Sequence, residues 1–121
     1  MNAFASGYIE CALWAETDNS TESGGEPFDK NYSEDDLAPE TVRKMVEDCD
    51  RFREAAAEEL RASGLSDESA GHNFWLTRNR HGTGFWARDL PDDLGDKLTE
   101  IAESFSECDL YVGDDGLIYI C

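Results

Sequence analysis

Positive charge is scarce in this chain. Only 10 Lys and Arg stand against 28 Asp and Glu in 121 residues, which leaves a formal net charge of −18 and a pI near 4.1. That shortage excludes a free nucleic-acid binder, because such proteins bring Lys and Arg to a polyanion. It disfavours anionic membrane surfaces for the same reason. Long apolar runs are missing too. No stretch approaches the ~18 residues needed to span a bilayer, and no charged-then-apolar leader opens the chain. A cytoplasmic protein without membrane contact is therefore expected.

The cysteines, at Cys11, Cys49, Cys108 and Cys121, form no C-x-x-C pair and no zinc-knuckle spacing. Reduced thiols are expected, with Cys49 acting as a small core residue. There is no G-x-S-x-G, no H-E-x-x-H, no P-loop and no Rossmann fingerprint. The segment from Asp18 to Gly24 has oxygens at calcium-loop positions, but Ser23 stands where glycine is needed and Asp29 where the loop would end in Glu. No catalytic residue, metal or cofactor is expected, and the chain reads as a binding protein more than an enzyme.

Hydrophobic residues make up 40% of the chain and aromatics 11%, too many aromatics for a disordered acidic chain. The length suits one domain. Tyr8 to Trp14 (YIECALW) predicts a strand. Residues 16–32 form a long polar loop interrupted by Gly24, Gly25 and Pro27. A capped turn at Ser33 to Asp36 precedes a first helix from Pro39 to Gly64, with Val42, Met45, Val46, Cys49, Phe52, Ala56 and Leu60 at helical spacing. One further turn at Ser66 to Ala70 follows. Phe74 to Arg78 and Phe85 to Ala87 then predict a β-hairpin. A second helix runs from Pro91 to near Ser106 on the stripe Leu94, Leu98, Ile101, Ala102 and Phe105. The chain closes on an Asp-Gly hairpin between Leu110 and Ile120. The expected fold class is α+β, an antiparallel sheet of four or five strands with two amphipathic helices on one face.

Acids line one side of the second helix at Asp92, Asp96, Glu100, Glu103 and Glu107, with only Lys97 nearby. Like charges at i,i+4 destabilise a helix by a few tenths of a kcal/mol each. The first helix adds Asp50, Glu54 and Glu58, and the turn before it Glu34, Asp35 and Asp36. One helix row places four carboxylates over roughly 16 Å, whereas a DNA strand sets a phosphate every ~3.4 Å. Two rows and the turn are needed to imitate a duplex. The plainer reading of each row is a solvated helix face.

Between these rows, Ser69 to Arg88 contains no acid and holds Arg78, Arg80, Arg88, His72 and His81 beside Phe74, Trp75, Phe85 and Trp86. With the turn Gly82-Thr83-Gly84, Arg78, Arg80, His81 and Arg88 are candidate ligands for a phosphate or carboxylate. Structurally, the same arginines can neutralise nearby acids while the aromatics fill the core.

Two stretches, YIECALW with GGEPFDKNYSEDDLAPET and AGHNFWLTRNRHGTGFWARDL with LYVGDDGLIY, resemble a family of small acidic proteins encoded by tailed phages and prophages. The resemblance covers most of the chain and implies no catalytic residues. Arg80 stands where that family usually has Gly, and Ala87 where acids are usual nearby. That family has no established activity; by size and charge only, the chain is similar to phage inhibitors of the anti-CRISPR or antirestriction type. Such a chain would act as a DNA mimic on a host nucleic-acid-binding protein with a basic groove. The alternatives are a small ligand-binding or catalytic domain built on the Arg/His segment, and a phage accessory protein that pairs through its aromatics.

Overall fold

Gly7 and Gly71 lie where two helices cross with no room for a side chain. The computed structural model describes residues 2–18, 25–87 and 90–120. In it, α1 (Ala3–Ala15) and α5 (Asp67–Arg78) pack closely. A Cβ on Gly71 would sit 2.0 Å from the Phe4 carbonyl oxygen, and one on Gly7 2.3 Å from that of Glu68. The Asn2 side chain starts α1 by accepting from the Ala5 N–H at 2.9 Å. Ser66 does the same for α5 through the Ser69 N–H at 3.2 Å.

This pair corrects two expectations. Tyr8 to Trp14 is helical, as is Phe74 to Arg78, and Phe85–Ala87 is a 3₁₀ turn. Both helices are buried on nearly all sides, with Phe4, Tyr8, Ile9 and Ala12 inside from α1 and Phe74, Trp75 and Leu76 from α5. A helix enclosed all round carries no polar face, so its sequence has no helical period to read. After α5 the chain turns back, the His81 N–H reaching the Leu76 carbonyl at 3.1 Å and the Phe85 N–H reaching Thr77 Oγ1 at 3.2 Å. These bonds replace the expected hairpin ladder.

The long amphipathic segment forms α3 (Pro39–Ala55) and α4 (Ala57–Ser63), separated at Ala56. Its apolar stripe buries Met45, Cys49 and Phe52. Gly64, in the left-handed region at φ 70°, ends α4. The last helix, α6 (Asp92–Glu103), buries Leu98 and Ala102 and stops a turn short of the expected end. Ser106 beyond it has φ 66°.

Strands are few. β1 (Thr17–Asp18) pairs antiparallel with β2 (Glu26–Pro27), and the short α2 (Phe28–Asn31) follows. This structure falls inside the segment expected to be loop, of which residues 19–24 lie outside the described residues. A capped 3₁₀ turn at Glu34–Asp36 leads into α3 as expected. The closing hairpin is present as β3 (Leu110–Val112) and β4 (Ile118–Ile120), with Tyr111 opposite Tyr119. It is anchored by Thr41 Oγ1, which donates to the Ile118 carbonyl at 2.9 Å. Among the described residues, the expected sheet of four or five strands is thus replaced by two separate two-stranded ribbons on a mostly helical body.

The core is aromatic. Phe52 stacks on Phe74 with ring centroids 4.1 Å apart, and Phe105 meets Phe74 edge-on at 5.2 Å. Cys11 and Cys49 are buried free thiols, and Cys108 is buried as well. Burial, reinforced by nearby Glu16 and Glu10, pushes the Cys11 thiol up to about 12.

Gly71→Ala is expected to lower the unfolding free energy by about 3 kcal/mol, since the new methyl meets backbone that a side-chain rotation cannot clear. Gly64→Ala meets no neighbour and should lose only the ~1–2 kcal/mol of the left-handed backbone. Urea unfolding followed by tryptophan fluorescence gives the order, and equal losses would contradict the close crossing.

Candidate functional site

Arg78 closes α5, and its side chain is only 2% exposed. Nη1 donates to Asp48 Oδ2 at 2.9 Å and to the Tyr8 hydroxyl at 2.9 Å. Nε reaches the Ser106 carbonyl at 2.9 Å and Nη2 the Phe105 carbonyl at 2.7 Å. The guanidinium also lies over the rings of Phe74 and Phe105, 5.6 and 5.8 Å from their centroids. Burial opposes its charge, but Tyr8 and Asp48 outweigh that and hold its pKa above the ordinary value. Burial likewise pushes the Tyr8 hydroxyl well up. This candidate ligand residue is therefore a fully bonded core group.

The rest of the Arg/His segment is dispersed. Arg80, in the left-handed region at φ 55°, reaches Glu103 at 3.3 Å. His81 Nε2 bonds to Glu16, which also accepts from Trp75 Nε1 at 3.0 Å. Arg88 lies outside the described residues. Gly84 packs against Thr77, where a Cβ would meet Oγ1 at 2.2 Å, so this glycine serves packing. Arg78, Arg80 and His81 thus pair with three different acids of the chain, and the structure does not gather them around one ligand.

The acids are placed differently. Asp92, Asp96 and Glu100 are exposed along α6, and Asp50 and Glu54 along α3. The break at Ala56 puts Glu58 on α4, also exposed. Among the described residues none of these six makes an ion pair. Glu103 differs, being held by Arg80, and Glu107 lies beyond the end of α6 instead of continuing its row. Glu34 and Asp35 are exposed on the 3₁₀ turn, while Asp36 turns back to accept the Ser33 N–H at 2.8 Å.

The rows do not merge into one field. Glu58, Glu59 and Ala62 of α4 share a groove of about 240 Å³ with Asp93, Leu94 and Lys97 of α6. The side of α3 that meets the end of α6 carries Lys44, Asp48, Arg51 and Ala55. At 100° per residue, Asp50 and Glu54 sit roughly 100° around α3 from that side and so do not face α6. Of the row Asp50, Glu54 and Glu58, only Glu58 joins the α6 surface, together with Glu59.

Two acids that organise the site were missed in the sequence. Asp48 sits within the stripe of Met45, Cys49 and Phe52, and an acid inside an apolar stripe is a signal for a buried partner. Glu16 carried no such signal, because its partners Trp75 and His81 meet it only through the fold. Among the described residues no group of three or more His, Cys, Asp or Glu side chains is placed to hold a metal ion. No helix there is long and apolar enough to cross a membrane. No known protein family, curated protein or solved structure matches the chain, so the phage-family resemblance carries no family assignment.

Removing one member of the buried pair leaves the other charged and dry, which costs about 3–5 kcal/mol. Arg78→Leu and Asp48→Asn should each lose stability on that scale in urea unfolding. Arg80→Ala, which breaks only a solvent-screened pair, should lose ~1 kcal/mol or less.

Proposed function

We propose that this chain is a non-enzymatic inhibitor. It binds the basic groove of a host nucleic-acid-binding defence protein through exposed carboxylates, in the manner of phage anti-CRISPR or antirestriction proteins. The observation that supports this reading is the row Asp92, Asp96 and Glu100 on α6, exposed and without ion pairs among the described residues. Repulsion within such a row works against the helix that carries it, and Lys97 and the helix N-terminus beside Asp92 do not balance it, since α6 carries five acids to one lysine. Cations of a partner would. Lys and Arg that evolved to hold phosphate accept carboxylate oxygens with similar charge-assisted hydrogen bonds.

The α6 row spans about 12 Å and is sparser than a DNA strand. Glu58 on α4 and Asp93 on α6 add charge beside it. Contact by individual guanidinium–carboxylate pairs suits this spacing better than a tracing of the duplex phosphates. The ligand-binding alternative is less well supported, because Arg78, Arg80 and His81 already bond to Asp48, Glu103 and Glu16.

The triple replacement Asp92→Lys, Asp96→Lys and Glu100→Lys changes only exposed positions and should leave unfolding within ~1 kcal/mol. Immobilised wild-type protein should capture a nucleic-acid-binding protein from bacterial lysate at low salt, and salt or duplex DNA should release it. The triple variant should capture at least tenfold less of it. Capture that survives both charge reversal and excess DNA would overturn the mimic reading.

A further inference from the structure

We infer a binding site for a phosphate group, free or as a phosphomonoester, in the cavity between α3 and the end of α6. This cavity of about 350 Å³ is lined by Lys44, Asp48, Arg51, Ala55, Arg78, Ser104 and Phe105. Its volume lies at the low end of ligand pockets and suits a small phosphorylated molecule. In a chain of net charge −18, its lining holds three cations and one acid.

The charges do not cancel within it. Arg78 takes Asp48 Oδ2 at 2.9 Å, both side chains being buried, so the single negative charge is already matched. Lys44 and Arg51 converge on the other oxygen, Oδ1, at 3.0 and 3.9 Å. Two positive charges are therefore left over at the cavity mouth, beside a third beneath it. A dianion is the ligand that balances them.

The donors are also set for an oxyanion. At 3.9 Å the contact from Arg51 to Asp48 is beyond hydrogen-bond reach. Arg51 makes no hydrogen bond among the described residues, yet its guanidinium is held 5.4 Å from the Phe105 ring centroid. A positioned guanidinium fork with open N–H groups matches two oxygens of a phosphate. Lys44 Nζ has one N–H engaged with Asp48 and two more to offer. This site shares only Arg78 with the Arg/His segment, and it does not depend on the α6 carboxylates.

The test is thermal unfolding and calorimetric titration with inorganic phosphate against sodium chloride at matched ionic strength, because any salt screens so acidic a chain. Phosphate should raise the midpoint saturably above the chloride curve and give a titratable one-to-one heat. Lys44→Ala with Arg51→Ala removes two side chains that are 42% and 62% exposed while keeping the Arg78–Asp48 pair. It should weaken phosphate binding at least tenfold. Arg51→Lys keeps the charge but loses the fork and should weaken it about threefold or more. Superimposed phosphate and chloride curves, or phosphate binding unchanged in the double variant, would overturn the site. Succinate binding as tightly as phosphate would overturn its assignment to a phosphate group. The α6 triple lysine variant should retain the phosphate response whether or not the inhibitor reading holds.

Discussion

One buried guanidinium holds the parts of this protein in register. Arg78 joins Tyr8 on α1, Asp48 on α3, its own helix α5, and the carbonyls of Phe105 and Ser106 just past α6. Those carbonyls lie in the turn beyond α6, whose own last carbonyls are taken by the N–H groups of Ser104, Phe105 and Ser106. The arginine therefore satisfies the turn after α6 and a buried acid with one planar group. Its dehydration is expensive, and it is tolerable because Nε, Nη1 and Nη2 all find acceptors. The Gly7 and Gly71 crossing makes this possible by bringing α1 close enough to α5 for Tyr8 to reach the arginine.

The same arrangement sorts charge by sign. Described cations near the core are drawn to acids of the chain: Lys44, Arg51 and Arg78 to Asp48, and Arg80 to Glu103. Arg80 can do this because the chain leaves α5 through a left-handed residue and turns toward the end of α6. Of these only Arg78 is buried, and the outward faces of α3, α4 and α6 keep acids such as Asp50, Glu58 and Asp96 that form no ion pair among the described residues. The gap between α3 and the end of α6 is the complementary case, where cations outnumber the acid they surround.

Some of this was legible in the residues. The helix from Pro39, the helix after Pro91, the capped turn at Ser33 and the closing hairpin all carry local marks: a proline at the first turn, an apolar stripe, a Ser–Asp capping pair and an Asp-Gly turn. Those marks come from elements with one wet face. α1 and α5 have almost none, and YIECALW and NFWLTR are apolar runs short enough to suit a buried strand as well as a buried helix. The glycines of the crossing gave a misleading mark, because Gly7 looks like a strand boundary until Glu68 is placed against it.

Composition by itself determined the charge, the excess of exposed carboxylates and the aromatic nature of the core, since these follow from which residues are present. Amphipathic period determined which faces of α3 and α6 are buried, because each helix decides that locally. Only the tertiary structure decided that Arg78 is a core residue, that Glu103 is neutralised and Asp96 is not, and that Lys44 and Arg51 meet above Asp48. Those outcomes depend on contacts between residues far apart in the chain, such as Arg78 with Asp48 and with Tyr8, and no local pattern encodes which distant acid a given cation will find.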